Sequence, residues 1–173
     1  MKPVIISAFP GIGKTYAVQN SNMNLIDSDS SKFSWIYDEN GNKTNTRNPE
    51  FPQNYIDNIK NLLNNKSIDC IFISSHEDVK KALDENNIDF ISVYPNKDNK
   101  ESHIKRLKER LTGLNNDKFI SIIESNWDNW IPDNRDSEYK KYKNCINVLW
   151  LGTNTYMTDI CDWIKINYLN KGE

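Results

Sequence analysis

The stretch AFPGIGKTY, residues 8–16, follows a short apolar run near the start of the chain. It matches the phosphate-binding pattern GxxxxGK[ST] at every position but the first, where Ala8 replaces glycine. Gly11 and Gly13 permit backbone turns that aim N–H groups at a phosphate, and a helix beginning near Lys14 adds its N-terminal dipole. A strand before and a helix after are the context that the motif requires, so the sequence predicts a nucleotide site.

The predicted site divides its work among the residues of this loop. Lys14 is expected to reach the β- and γ-phosphates and to act in catalysis, while the Thr15 hydroxyl is expected to hold Mg²⁺. The expected cofactors are therefore ATP and Mg²⁺. The alternative interpretation is a glycine turn that contains GKT by chance, which the flanking strand and helix disfavour. The residues expected to contact the nucleotide are Pro10, Gly11, Ile12, Gly13, Lys14, Thr15 and Tyr16.

Length, charge and cysteine content exclude several classes of protein. The 173 residues favour a single domain over residues 1–173, and the net charge of −2 gives no general basic field for nucleic acid. No apolar run approaches the roughly 18 residues of a membrane span, and no signal-peptide pattern is present. The three cysteines are widely spaced and include no CxxC, so neither zinc nor a disulfide framework is expected. We expect a cytoplasmic protein that is a monomer or a homodimer and does not bind membranes.

Apolar runs alternate along the chain with amphipathic stretches. Within each run, apolar residues follow one another without a polar residue at every second position. This pattern predicts parallel strands that are covered on both faces. The pattern predicts an α/β three-layer sandwich with right-handed crossovers and a five-stranded parallel sheet. The polar stretch 37–48 predicts a mobile loop or a short β-excursion. The strands are predicted at 3–7, 24–26, 69–74, 90–94 and 146–151, and the helices at 14–20, 51–65, 77–86, 100–111, 117–130 and 155–168.

Two aspartates follow the second predicted strand at the carboxyl edge of the sheet, where α/β proteins bind ligands. A carboxylate there can accept a proton from an attacking hydroxyl or hold Mg²⁺ through water. We expect Asp29 to bind and deprotonate the acceptor and to join Thr15 at the metal. Asp27 is the second candidate for catalysis and acceptor binding, and the alternative for either aspartate is a cap on the next segment. Ser74 ends the third predicted strand, where a motor protein usually keeps a carboxylate, and this favours a kinase over a motor.

The arginines give a further indication, because the chain has 22 basic residues but few arginines. Arg106 and Arg110 share one face of a predicted helix, and cations there can stabilise the equatorial oxygens of a transferring phosphoryl group, so both are expected to be catalytic. Arg47 and His76 are expected to bind the acceptor. The alternative for Arg106 and Arg110 is a solvated basic face of the helix. The alternative for Arg47 is an arginine on a surface loop, and that for His76 is a polar residue of a strand-to-helix turn. His103 is expected to lie on the surface of the basic helix.

The loop, the Asp-Ser-Asp segment and the arginine helix together resemble the P-loop nucleoside and nucleotide kinases of the adenylate kinase type. The resemblance implies the P-loop NTPase fold with the strand order 2-3-1-4-5. It also implies an acceptor-binding side over residues 35–65 and a lid-like segment with a lid helix over residues 96–113. More narrowly, the segments ISAFPGIGKTY, DSDSSKFSW, RNPEFPQNYI and VYPNKD are similar to small phage and prophage kinase-like proteins of low-GC bacteria, which implies a bacterial or phage-infected host cell. The chain lacks the DG-x-PR segment of adenylate kinase after the third strand, so the acceptor stays open.

The sequence therefore predicts an ATP-dependent phosphotransferase that moves the γ-phosphate to a nucleoside or a (deoxy)nucleoside monophosphate. One alternative is an NTPase or nucleotide-dependent switch that acts with a protein partner. Another is a kinase of a DNA end or a modified base, for which residues 97–110 offer a basic stretch without a second basic surface. A small-molecule acceptor is therefore favoured over nucleic acid.

Overall fold

The computed structural model describes residues 2–110 and 114–169, without the side chains of residues 114 and 115. Five parallel strands form one sheet in the order β2-β5-β1-β6-β7, and β3 and β4 form a separate antiparallel pair. Counted within the large sheet alone, this order is 2-3-1-4-5. The strands are β1 (Val4–Ala8), β2 (Leu25–Asp27), β3 (Trp35–Tyr37), β4 (Lys43–Arg47), β5 (Cys70–Ser74), β6 (Phe90–Pro95) and β7 (Cys145–Leu151).

Helices connect the parallel strands, as the amphipathic stretches of the sequence predict. The predicted helix over 100–111 is observed to Arg110, and its last residue, Leu111, lies outside the described residues, as do positions 111–113 of the lid-like segment. The helices are α1 (Lys14–Asn20), α2 (Ser31–Ser34), α3 (Gln53–Leu63), α4 (Glu77–Glu85), α5 (Lys100–Arg110), α6 (Leu114–Trp130), α7 (Arg135–Lys141) and α8 (Met157–Ile164), with a 3₁₀ turn at Lys97–Asn99 and a π-helical turn at Lys165–Leu169.

The core lies on both faces of the sheet. Every residue of β6 is buried, and the first four residues of β5 are buried, so neither face of these central strands is open to water. Helix α1 packs against α8, while α3 packs against α4. This arrangement agrees with the predicted α/β class, a parallel five-stranded sheet flanked by helices.

A buried ion pair ties α4 and α7 to β6. Lys80 Nζ lies 2.8 Å from Glu138 Oε1, and both side chains are almost fully buried. The same oxygen accepts hydrogen bonds from the Ser92 and Tyr94 hydroxyls, at 2.7 and 2.6 Å. Burial lowers the pKa of Lys80, and the Glu138 carboxylate opposes that shift. This pair needs both partners, because a buried charge without one is strongly destabilising.

Two segments differ from a simple alternation of strands and helices. The polar stretch after Trp35 forms the hairpin β3–β4, whose turn is held by Asp38 Oδ1, which accepts from the Asn40 and Asn42 N–H groups at 3.0 and 2.8 Å. The sequence pattern does not predict helix α7, because its residues show no apolar period. A capping box at its start stabilises the helix instead. Within the described residues, no helix is long and apolar enough to cross a membrane.

Candidate active site

The loop predicted to bind phosphate connects β1 to α1. Strand β1 ends at the fully buried Ala8, so the residue that replaces the first glycine belongs to the core. Gly11 and Gly13 adopt positive φ angles of 73° and 104°, the left-handed region that favours glycine. Within the described residues, the N–H groups of Gly11, Gly13 and Lys14 have no hydrogen-bond acceptor in the protein. A run of free N–H groups at a helix N-terminus is a site for an anion.

Lys14 lies across this loop. Its Nζ donates a hydrogen bond to the Ala8 carbonyl oxygen at 3.3 Å, so the side chain folds back over the concavity rather than extending into water. Burial lowers the pKa of Lys14, the charges of Asp27 and Asp29 oppose that shift, and the charge of Arg110 adds to it. The charges of both aspartates and of Arg110 therefore act on the Lys14 ammonium group, so four predicted catalytic residues lie in one region of the molecule.

The two aspartates are held in different ways. The Thr15 hydroxyl donates to Asp27 Oδ2 at 3.1 Å. The carboxylate of Asp29 instead accepts from the Ser31 N–H at 2.9 Å and from the Ser31 hydroxyl at 2.7 Å. The sequence paired Thr15 with Asp29 at the metal, but the structure brings Asp27 to Thr15. The reason is that β2 ends at Asp27, whereas Asp29 lies in the turn that leads into α2.

The turn between the aspartates is fixed by the core. The Ser28 N–H donates to the Phe72 carbonyl oxygen at 2.9 Å, which continues the pairing of β2 with β5. From α3, the fully buried Tyr55 donates its hydroxyl to the Ser28 carbonyl oxygen at 2.6 Å. Both contacts bind the backbone directly between Asp27 and Asp29. The two carboxylates are therefore presented from a rigid turn at the carboxyl edge of the sheet.

Helix α5 covers the loop from the other direction; residues 10–15 and α5 are called the loop side below. The His103 ring is 3% exposed, and its Nε2 lies 3.2 Å from the Pro10 carbonyl oxygen. A Cβ placed on Gly11 would lie 2.5 Å from a Leu107 methyl group and 3.3 Å from His103 Nε2. The expectation that His103 lies on the surface is wrong. Burial lowers the pKa of His103 to about 4, since its hydrogen bond to Pro10 only partly offsets the lost hydration.

A second cluster of residues is formed by the hairpin β3–β4 and Phe51, called the hairpin side below. The Arg47 guanidinium carbon lies 4.9 Å from the centre of the Trp35 ring and 5.2 Å from that of Phe51, and Lys43 Nζ lies 4.2 Å from the centre of Trp35. None of the ion pairs within the described residues includes Arg47. The aromatic rings therefore hold an arginine that forms no ion pair with a carboxylate in the described part of the chain.

His76 joins the two sides. It precedes α4 at the carboxyl end of β5, in extended conformation. Loss of hydration lowers the pKa of His76, and the positive charges of Arg47 and Lys14 lower it further, against the opposing effect of Asp78. The two cations that the sequence assigns to the nucleotide and the acceptor therefore act on the same imidazole.

The remaining predicted residues have less contact with the site. Tyr16 is exposed, whereas Ile12 is 9% exposed and belongs to the core. Arg106 is exposed and donates its Nε–H to the Ser102 carbonyl oxygen within α5, at 3.3 Å. Ile12 therefore supports the loop by packing, and Arg106 has a side chain free to turn toward a ligand.

The oxygen donors of the site fit magnesium better than a transition metal. Within the part of the chain that is described, no group of three or more histidine, cysteine, aspartate or glutamate side chains is placed to hold a metal. Mg²⁺ differs from zinc in this respect, because it commonly uses one or two carboxylates together with water and phosphate oxygens. The Thr15 hydroxyl and the Asp27 carboxylate supply two hard oxygen donors that are already in contact.

No protein-family model matches the chain, and no curated protein matches it either. Among solved structures, an uncharacterized protein from Eubacterium ventriosum is similar, with a TM-score of 0.43 and 16% identity, covering 95% of this chain and 98% of that chain. A likeness at this level carries no argument about fold or activity.

Proposed function

We propose that this chain is an ATP-dependent phosphotransferase that moves the γ-phosphate of ATP to a nucleoside or (deoxy)nucleoside monophosphate. The observation that carries the proposal is that, among the described residues, the N–H groups of Gly11, Gly13 and Lys14 have no acceptor, in a loop over which the Lys14 side chain folds back. Backbone donors and a helix dipole stabilise phosphate wherever they converge, and the lysine adds a charge that reaches the terminal phosphates.

The residues for magnesium in this proposal are Thr15 and Asp27, because their oxygens are in hydrogen-bond contact beside the loop. When bound there, Mg²⁺ would neutralise part of the charge on the phosphate groups. Asp27 thus takes the metal role that the sequence gave to Asp29. Asp29 is left to orient and deprotonate the acceptor.

Asp29 is suited to that role by its hydrogen bonds to Ser31. They orient the carboxylate, while each of its oxygens keeps a further lone pair for a proton. In the proposed step, an acceptor oxygen bonds to the γ-phosphorus. This oxygen is the hydroxyl of a nucleoside or a phosphate oxygen of a monophosphate, and any proton that it carries passes to Asp29. The bond from the γ-phosphorus to the bridging oxygen breaks, and ADP leaves with that oxygen. Arg110 lies close enough to Lys14 to depress its pKa, so Arg110 and its neighbour Arg106 are proposed to stabilise the transferring group.

The hairpin side supports an acceptor that already carries a phosphate. Arg47 is oriented by two aromatic rings and has no carboxylate partner among the described ion pairs. A guanidinium in that state can bind a phosphate through two parallel hydrogen bonds. Monophosphates are therefore favoured over nucleosides as acceptors.

The test is MgATP turnover by the purified protein with a panel of acceptors. ADP formation is measured without acceptor and with nucleosides, ribonucleoside monophosphates, deoxynucleoside monophosphates and short DNA, and the products are identified by mass. The proposal expects turnover that rises sharply with a monophosphate and a product one phosphoryl group heavier. A rate of ADP formation that no acceptor changes would support an NTPase switch instead, and a rate that depends on DNA would support a DNA kinase.

A further inference from the structure

The contact between α5 and the loop has a consequence for phosphate binding. Pro10 and Gly11 share one peptide unit, and in a planar trans peptide the C=O and the N–H point in opposite directions. A group that holds the Pro10 carbonyl oxygen from outside therefore aims the Gly11 N–H into the loop. His103 is that group, with Nε2 at 3.2 Å from the oxygen.

We infer that His103 is a positioning residue of the phosphate loop, whose Nε2–H holds the Pro10 carbonyl and so directs the Gly11 N–H toward bound phosphate. This inference rests on the proposed nucleotide binding. It adds a residue that the loop motif does not contain, separated from Pro10 by 93 positions in the chain.

The tautomer and orientation of the ring follow from its surroundings. A carbonyl oxygen only accepts hydrogen bonds, so Nε2 must carry the hydrogen in this contact. The ring centre lies 5.9 Å from that of Phe9, nearly perpendicular to it, and 5.2 Å from that of Trp127. These two aromatic rings hold the imidazole in one plane, so its donor points at Pro10 without an entropic cost on ligand binding.

The same contact sets the position of the arginines on α5. His103, Arg106, Leu107 and Arg110 are spaced at i, i+3, i+4 and i+7, so they share one helix face. Two of them, His103 and Leu107, are buried against the loop at Pro10 and Gly11. The charges of Arg106 and Arg110 both reach the His103 ring, which supports their placement at the same edge. His103 thus aligns the loop N–H and the arginines with one another.

Two substitutions separate the hydrogen bond from the packing. His103→Phe keeps a ring between Phe9 and Trp127 but removes the donor, whereas His103→Gln keeps an N–H donor at a similar reach. Ile59→Val serves as the control for a small loss of core packing, because Ile59 is fully buried in α3, away from the loop. Each variant is examined for its melting temperature, its affinity for MgATP by calorimetry, and the Gly11 and Gly13 amide signals of the ligand-free protein in ¹⁵N NMR spectra.

The expected result distinguishes the donor from the ring. His103→Phe should move the Gly11 amide signal and weaken MgATP binding about three- to tenfold, the usual worth of one hydrogen bond. His103→Gln should stay within about threefold of the wild-type affinity, and Ile59→Val should leave both readouts unchanged. A folded His103→Phe that binds MgATP as tightly as the wild type, or a Gln variant that loses as much as Phe, overturns the inference. A wild-type protein that binds no MgATP overturns the proposed function itself and, with it, the role of His103.

Discussion

The loop side and the hairpin side of the candidate site are held by different kinds of contact. On the loop side, His103 and Leu107 are buried, and a glycine at position 11 is required by both the backbone and the space available. On the hairpin side, Trp35 is half-buried, Arg47 is exposed, and cation–π contacts connect them. The loop side is therefore part of the core, whereas the hairpin side is assembled at the surface. We expect changes on the loop side to affect stability and nucleotide binding together, and changes on the hairpin side to affect the acceptor alone.

The largest expected effect belongs to Lys14 on the loop side. Lys14→Met removes the ammonium group that lies over the loop and should lower MgATP turnover at least about 100-fold, the cost of removing one donor that stabilises developing charge. Steady-state rates measure this loss. Lys66→Met, which changes an exposed lysine outside the site, is the control and should keep wild-type turnover. A Lys14→Met rate within about threefold of the wild type would contradict the assignment.

The second effect is the pH dependence of stability that the buried His103 confers. The unfolded imidazole takes up a proton near its ordinary pKa of 6.5, but the folded one only near about 4. Protonation between these values favours the unfolded state, so this contribution is complete above pH 6.5 and is lost as the pH falls toward 4. The free energy of unfolding should fall by up to about 3 kcal/mol over this range, at about 1.36 kcal/mol for each unit of pKa.

Denaturant unfolding of the wild type and His103→Gln at several pH values measures this contribution. The carboxylates titrate in both proteins, so the difference between the two curves isolates His103. The difference should shrink as the pH falls from 6.5 to 4. Parallel curves for the two proteins would show that the ring is not buried as described.

The third effect compares one glycine from each side. Gly11 and Gly41 have similar φ angles of 73° and 77°, but only Gly11 has neighbours within 4 Å of an added Cβ. Gly41→Ala should cost about 1 kcal/mol for the left-handed backbone alone. Gly11→Ala should cost about 2 kcal/mol, because its methyl group also displaces Leu107, and it should weaken MgATP binding. Equal costs for the two variants would mean that α5 does not press on the loop.

The smallest expected effect separates the hairpin side from the loop side. Arg47→Met should raise the KM for the acceptor about tenfold, equivalent to about 1.4 kcal/mol, and leave the affinity for MgATP unchanged. Lys43→Met is the matched control, since Lys43 also lies over the Trp35 ring. Initial rates over a grid of acceptor and MgATP concentrations give both constants. An equal rise in the acceptor KM for the two variants would show that acceptor binding depends on the contacts with the Trp35 ring and not on the Arg47 charge.

The sequence predicts the parts of this molecule that depend on local pattern. The spacing of Gly13, Lys14 and Thr15 predicts the loop, and the continuous apolar runs predict the parallel strands. Helix α7 was not predicted, because its residues RDSEYKK show no apolar period, and its place depends on the capping box and on the buried Lys80–Glu138 pair. Local pattern therefore suffices where burial is continuous and fails where a distant partner holds the segment.

His103 shows the same limit within the site. The helix around it carries many charged residues, so the sequence indicates a surface residue, and only the contact with Pro10 reveals its burial. Similarly, the sequence singles out both aspartates but does not predict the hydrogen bond between Thr15 and Asp27, which depends on where β2 ends. The stack of Arg47 on Phe51 also depends on the course of the hairpin, which the polar stretch predicts only as a loop or short β-excursion.

The measurement that tests the central claim most directly is the fate of the γ-phosphate in water enriched in ¹⁸O. The protein is incubated with MgATP and the acceptor that raises turnover most, and the products are analysed by mass spectrometry. Transfer to an acceptor predicts a phosphorylated acceptor without ¹⁸O from the solvent, together with an equal amount of ADP and little labelled inorganic phosphate. Inorganic phosphate that carries one solvent oxygen and matches the ADP formed, whichever acceptor is present, would contradict the account.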